Sequence, residues 1–374
     1  MTFKRLTIRL LFVVVLFIAA NGFYSRFLWP AEMEKHAPLA ARVIQTADSA
    51  DVLYFGESSN TSFNPFTDTL TYSISEFLQQ YLPRLQVRDI THSAYHPGMF
   101  LALMELIPET ARVKTIVVTM NIRNCGPAAI HTTLEPYMQK QKVYYSSRMP
   151  LLSRIYLSMK FYDNRDSMER ERLKLEAWRT WDIQYPGAKH PYPNARSWFD
   201  APKFPGEDSS GDARRKRILA DDYIKGFAFV LREDNPRIEQ FDAMVKLAAV
   251  NGWKLVFNIV PENMEYARLL LGENLVHTIR YNRDFLAARY RKMGVEVVDN
   301  LEVARGQEFT DQFWTTEHFN GRVRRACARN LAGVLAGKIS PGNVPVLKQN
   351  NWPNPEVLQP MADTLLGLVP KKLR

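Results

Sequence analysis

A chain of 374 residues is long enough for one large domain with insertions or for two small ones. Its 46% hydrophobic and 12% aromatic content excludes a disordered chain and provides for a substantial core. The formal net charge of +10 points to an anionic neighbour (a phospholipid surface, an anionic polymer or nucleic acid) or else to a basic surface with no specific partner. The sequence has no zinc-ligand spacing, RNA-binding signature or long basic run, so nucleic acid is not expected. Cys125 and Cys327 are too few for a disulfide framework, although one bridge between them is open, and nothing resembles a metal site.

Lys4, Arg5 and Arg9 precede the apolar run Leu10 to Ala20, and no residue from Leu10 to Ser25 is charged. This is the layout of a secretory signal or an uncleaved signal anchor. The uncharged stretch is slightly short of the usual span of about 17–25 residues, and Ile18-Ala19-Ala20 makes a poor cleavage site. The expectation is an anchor over residues 1–26, with the inner end marked by the cations and everything after Arg26 extracytoplasmic, in the periplasm or at the cell exterior.

Residues 27–50 read as a linker with a short helix, leading to the strand Val52 to Phe55, an apolar run of β-branched and aromatic residues. It breaks into Gly56-Glu57-Ser58-Ser59-Asn60. A glycine that ends a buried strand, with small hydroxyl residues at once after it, presents a nucleophile at the carboxyl edge of an α/β sheet. Asp68 to Leu82 carries Leu70, Ile74, Phe77, Leu78 and Tyr81 at helical spacing. A strand over Leu85 to Ile90, the polar loop Thr91 to Gly98, a helix over Met99 to Ile107 and a strand over Thr115 to Met120 follow. This alternation is that of a parallel α/β sheet.

The pattern breaks at residues 124–235, read as an insertion with a helix over Met168 to Trp181 and then an irregular, proline-rich loop. An insert of this size suits a substrate-shaping cap. Regularity returns with a helix over Arg237 to Asn251, a strand over Lys254 to Val260, a long helical stretch from Pro261-Glu262-Asn263 to Lys292 and a strand over Val295 to Val298. A polar loop then reaches Glu317-His318, and Gly321 to Leu335 reads as the final helix. The expected organisation is an α/β domain over 51–340, a three-layer sandwich about a mainly parallel sheet, and a tail over 341–374.

Four pieces fall in chain order at the carboxyl ends of these strands: Gly56-Glu57-Ser58, Gly98, Asn121 and His318. In a parallel sheet they would converge on one edge. This order resembles the SGNH (GDSL-type) hydrolase and acyltransferase superfamily. The resemblance implies Ser58 as nucleophile and His318 as general base. It also implies an oxyanion hole from the Ser58 amide, Gly98 and Asn121, with Asn124 as the alternative to Asn121. The chain departs from that pattern in two places. Glu57 stands where the family has aspartate, and Thr315 stands where the family has an aspartate three residues before the histidine. The acid orienting His318 is then Asp311, with Glu317 as the alternative, or the pair acts as a dyad. Arg123, His92 and His96 are further residues expected to line the cleft.

The N-terminal anchor and the insert resemble the membrane-anchored branch of that superfamily, the D-alanine-transfer and alginate-acetylation proteins. These imply transfer or hydrolysis of an acyl ester on an envelope polysaccharide or lipid-linked acceptor, beside a membrane-bound O-acyltransferase. A non-catalytic envelope protein of the same fold is the alternative. No cofactor and no metal are expected.

Overall fold

The computed structural model of the chain describes residues 3–64, 68–189, 191–201, 211–311, 315 and 317–338. The tail expected over 341–374 lies outside the described residues.

In chain order the elements are α1 (Phe3–Phe27), α2 (Trp29–His36), α3 (Pro38–Ser49), β1 (Val52–Gly56), α4 (Ser58–Thr61), α5 (Ile74–Tyr81), β2 (Val87–Thr91), α6 (Pro97–Met104) and β3 (Thr115–Met120). After a 3-10 turn over Ile122–Cys125 come α7 (Pro127–Ile130), α8 (Glu135–Tyr145), α9 (Pro150–Ser158), α10 (Ser167–Thr180), α11 (Ala195–Asp200) and α12 (Gly211–Phe227). The chain ends with α13 (Pro236–Asn251), β4 (Lys254–Ile259), α14 (Met264–Leu271), α15 (Glu273–Lys292), β5 (Glu296–Asp299) and α16 (Gly321–Leu335).

The five strands form one all-parallel sheet in the order β2-β1-β3-β4-β5. The central strands β1 and β3 are buried throughout save Thr115, which is why they read as unbroken apolar runs. Edge strand β2 is only partly buried, at Val87 and Ile90, and exposes Arg88. Helices cover both faces. Leu53, Phe55, Ile116 and Val118 point into a core shared with α3, α6, α13 and α15. Tyr54, Val117 and Val256 point into a second core closed by α5 and α16. Cys125 belongs to the first core and Cys327 to the second, on opposite faces of the sheet, and both are free thiols. No bridge joins them.

Several expected elements shift for local reasons. The helix expected from Asp68 starts only at Ile74. The Ser73 hydroxyl caps it by accepting from the Glu76 amide at 3.1 Å, and Glu76 in return accepts from the Ser73 amide at 2.7 Å. Asp68 is spent elsewhere, accepting from the Gly321 amide at 2.9 Å and pairing with the buried Arg324. The long stretch after Asn263 is two helices, broken at Gly272 in a left-handed conformation. The segment 27–50 is almost wholly helical, and α3 buries Leu39, Ala40, Val43 and Ala47 against the α/β body. The insert is mainly helical as well, with α8, α9 and α12 where no helix is expected from the sequence.

α1 is 25 residues long, and its apolar window is entirely exposed. It is long and apolar enough to cross a membrane, a property that a signal sequence shares.

Candidate active site

The sheet order changes direction between β1 and β3, since β2 leaves β1 on the other side. Ligands bind outside the carboxyl ends of strands at such a point. Ser58 is the first residue of α4, directly beyond β1. Gly56 makes the turn possible. A Cβ there would lie 2.9 Å from each of Asn60 Cβ, Thr91 Oγ1 and Tyr54 Cε1, closer than real side chains approach.

Ser58 lines a cavity of about 580 Å³ together with Ala94, Arg123, Asn124, Thr315 and His318. The insert supplies another wall, including Ala128, Ala129, Leu134, Met138 and Lys225. The insert side thus combines apolar residues with Thr132, Asp222 and Lys225, and the sheet edge is polar.

His318 sits on a loop closed like a hairpin. Phe309 and Phe319 form an antiparallel bridge, and the Thr310 amide donates to the His318 carbonyl at 2.8 Å. That pairing sets Asp311 against the ring, and its carboxylate holds His318 Nδ1. The acceptor on Nδ1 places the ring proton there and leaves Nε2 as the basic nitrogen, with no partner among the described residues. Glu317, the other candidate acid, is turned away. It is buried and makes a two-pronged ion pair with Arg123, Oε2 accepting from Nη2 at 2.8 Å. Burial works against its charge, but the Arg123 guanidinium outweighs that and holds its carboxyl below the usual range.

The oxyanion assignments change. Gly98 is buried at the start of α6, and its amide donates to His96 Nδ1 at 3.1 Å. A Cβ on Gly98 would meet Gln240 of α13 at 2.8 Å, so this glycine serves helix packing and its N–H is not free for an oxyanion. Asn121 is buried too. It donates through Nδ2 to Glu57 Oε1 at 2.7 Å and accepts from the Arg123 amide at 2.9 Å. It caps the 3-10 turn and is not on the cavity wall. Asn124 is on that wall, with Nδ2 making only long contacts, to Glu57 Oε2 at 3.3 Å and the Tyr95 carbonyl at 3.4 Å.

Ala94 is a residue that sequence reasoning misses. It lines the cavity with φ of 62°, the left-handed region that ordinarily takes glycine. Its N–H makes no hydrogen bond among the described residues, and neither does the Ser58 N–H. No sequence signal marks it, because alanine carries no hint of a left-handed backbone.

A second feature not visible in the sequence reaches the cavity wall, which Glu57 and Glu317 line together with Arg123. Glu57, Glu262 and Glu317 are all buried around the cation Arg123. Burial and then the neighbouring Glu317 charge push both Glu57 and Glu262 above the usual carboxyl range. Glu262 Oε1 has no partner among the described residues. Glu317 carries the negative charge that Arg123 neutralises, and the other two acids are held towards their neutral forms.

Of the two histidines of the loop after β2, His96 lines the cavity as expected and His92 does not. His92 stacks on Tyr95 at 4.1 Å and is not on the cavity wall. His96 borders the cavity but is buried, its Nδ1 also within 2.8 Å of Arg237 Nη1 and its Nε2 3.3 Å from Glu135. Burial, and then Arg237, bring its pKa down to about 4, so it is neutral at physiological pH. Ser58 and His318 line the same cavity without hydrogen-bonding to each other. The chain matches no protein-family model and no curated protein.

Proposed function

We propose that this chain is an extracytoplasmic, membrane-anchored serine enzyme of SGNH type that transfers or hydrolyses an acyl ester through an acyl-Ser58 intermediate. The observation that carries the reading is the arrangement on one cavity wall of a serine at a strand end and a histidine whose Nδ1 is held by Asp311. In the proposed reaction Ser58 Oγ attacks the acyl carbon and His318 Nε2 takes its proton. The Ser58 and Ala94 amides and the Asn124 side chain stabilise the oxyanion, and His318 returns the proton to the leaving alcohol. An acceptor hydroxyl or water then reverses these steps. Ala128, Leu134 and Met138 suit the apolar part of an acyl group. The acceptor is an envelope polysaccharide or a lipid-linked glycan, with a membrane-bound O-acyltransferase as the partner that supplies the acyl group. The strand order 2-1-3-4-5 and the exposed apolar α1 agree with that superfamily and with an anchor.

The missing Ser58–His318 hydrogen bond favours a second reading, a non-catalytic protein of the same fold that binds glycan or the acyltransferase. Catalytic hydrogen bonds are often long before substrate arrives, so this geometry leaves the enzyme reading standing. Fluorophosphonate labelling of the detergent-solubilised chain decides between them. The enzyme reading requires a covalent adduct on Ser58 that is absent in Ser58→Ala and slowed in His318→Ala. A folded chain that gives no adduct, with or without the acyltransferase, supports the binding protein.

A further inference from the structure

The outer end of α1 is built into the body. Tyr24 is buried, and Asn21 Oδ1 accepts from the Leu151 amide at the start of α9, at 3.0 Å. Trp29, just beyond, stacks on Tyr144 of α8 at 5.3 Å. These contacts all lie beyond Ala20, and they hold the outer end of α1 against the body.

This contact fixes the depth of α9. A bilayer core of about 30 Å takes about 20 helical residues. A span ending before Arg26 then begins near Leu6, with Arg9 close enough to the inner end to snorkel. Asn21 lies roughly 7 Å inside the outer boundary of such a span. The start of α9 hydrogen-bonds to it, so α9 begins about 7 Å below that boundary, within the depth of about 5–10 Å to which an interfacial helix sinks its apolar face. One exposed face of α9 is apolar, while Arg154, exposed on the same helix, pairs with Glu32 of α2 at 3.6 Å. Leu152, Ile155 and Met159 are exposed at helical spacing, and the exposed Phe161 continues the face. Cations flank it. Arg148 is exposed with its guanidinium 4.4 Å over the Tyr156 ring. Exposed Lys160 holds the left-handed position, φ 53°, of the turn that closes α9, a place that ordinarily takes glycine.

We propose that α9 and its closing turn are a membrane-docking surface that lies in the outer interface beside α1, with Arg148 and Lys160 meeting anionic phospholipid headgroups. The proposal rests on the anchor reading of α1. An apolar helix face bordered by cations and continuous with a spanning helix is the chemistry of an interfacial segment. It also gives the insert a function. α9 belongs to the same insert that walls the Ser58 cavity through α7, α8 and α12.

The test uses the full chain in nanodiscs of phosphatidylglycerol and phosphatidylcholine, with an NBD fluorophore on an introduced cysteine. The native Cys125 and Cys327 are buried and do not compete for label. Ile155→Cys and Met159→Cys report on α9, Val14→Cys on the anchor, and Val250→Cys on an exposed apolar position of α13. Spin-labelled lipid is expected to quench the α9 labels by about half or more, to quench Val14→Cys strongly, and to leave Val250→Cys near its intensity in plain lipid. Adding Arg148→Glu and Lys160→Glu is expected to reduce quenching at Ile155→Cys in phosphatidylglycerol and not in pure phosphatidylcholine. A quenched Val14→Cys with unquenched α9 labels overturns the proposal and leaves the anchor intact, whether those labels stay open to iodide or are shielded by a second copy of the chain. An unquenched Val14→Cys overturns the anchor reading and the proposal with it. Charge reversal without effect in phosphatidylglycerol overturns the headgroup assignment.

Discussion

His318 takes its acid from Asp311, seven residues back, although a glutamate is its immediate neighbour. The hairpin-like closure of the loop at Phe309 and Phe319 brings Asp311 to the ring, while the Glu317 carboxylate pairs with Arg123 instead. The two acids therefore predict opposite outcomes. Asp311→Asn is expected to slow fluorophosphonate labelling of Ser58 by roughly two to four orders of magnitude, because the ring loses its fixed tautomer. Its melting temperature is expected to stay near wild type, since Asp311 is part exposed. Glu317→Gln leaves Arg123 without its buried partner. A fully buried pair would cost about 3–5 kcal/mol, and the part exposure of Arg123 reduces this to about 2–3 kcal/mol. Labelling rates and denaturant unfolding of the two variants check the assignment. Asp311→Asn that labels at the wild-type rate would remove Asp311 from the site.

The parts legible in the sequence are those that burial on both faces makes distinctive. Strands β1 and β3 are unbroken apolar runs because helices cover both sides of the sheet, and α16 is bounded by Asn320, whose side chain accepts from the Val323 amide. Ser58 stands out because it comes just after β1, and His318 because it comes just before α16. The residues around them do not. Gly98 and Ala94 exchange expected conformations, with glycine in a helix where it packs on Gln240 and alanine in the left-handed turn. Only the tertiary contact distinguishes them. Asn121 and Asn124 are three residues apart and differ only in which side of the 3-10 turn they leave, one capping it and the other facing the cavity. In the insert, α10 is legible as the helix over Met168 to Trp181, although its apolar stripe is reduced to a few positions such as Ala177 and it is stabilised by the Asp166 cap and by pairs such as Arg172 with Glu176. α8, α9 and α12 are not legible, because prolines and turn residues interrupt that part of the sequence.

The left-handed Ala94 makes a stability prediction. A Cβ at φ near 60° costs about 1–2 kcal/mol, which glycine avoids while losing some of it to greater freedom in the unfolded chain. Ala94→Gly is therefore expected to stabilise the protein by about 1 kcal/mol and to keep the Ser58 labelling rate, since the backbone N–H is unchanged. A lower melting temperature in this variant would show that the left-handed turn is not strained.

Gly56→Ala tests the tightness of the turn before the nucleophile. The added Cβ meets Asn60 Cβ and Thr91 Oγ1, which are held in place by a 2.7 Å hydrogen bond from Asn60 Nδ2 to Thr91 Oγ1. Neither can swing away as the end of a long side chain would. The expected cost is about 2 kcal/mol or more, with loss of Ser58 labelling because the turn must shift. Wild-type stability and labelling together would contradict the close packing described here.

His96 links stability to pH. Its pKa falls from 6.5 to about 4 on folding, because burial, and then Arg237, disfavour the imidazolium. Below pH 6.5 the unfolded chain takes up a proton that the folded chain refuses, so this contribution to stability is complete at neutral pH and is lost as pH falls towards 4. Between pH 7.5 and pH 5 the loss is about 2 kcal/mol. Glu135 adds to the decline only at lower pH. Burial opposes its charge, but the hydrogen bond from His96 and the Arg237 charge bring its pKa down to about 2. His96→Gln retains an acceptor for the Gly98 amide but cannot be protonated, so its unfolding free energy is expected to vary less with pH over this window. Denaturant unfolding of both proteins at pH 7.5 and pH 5 gives the comparison. Equal slopes against pH would place the acid sensitivity elsewhere in the chain.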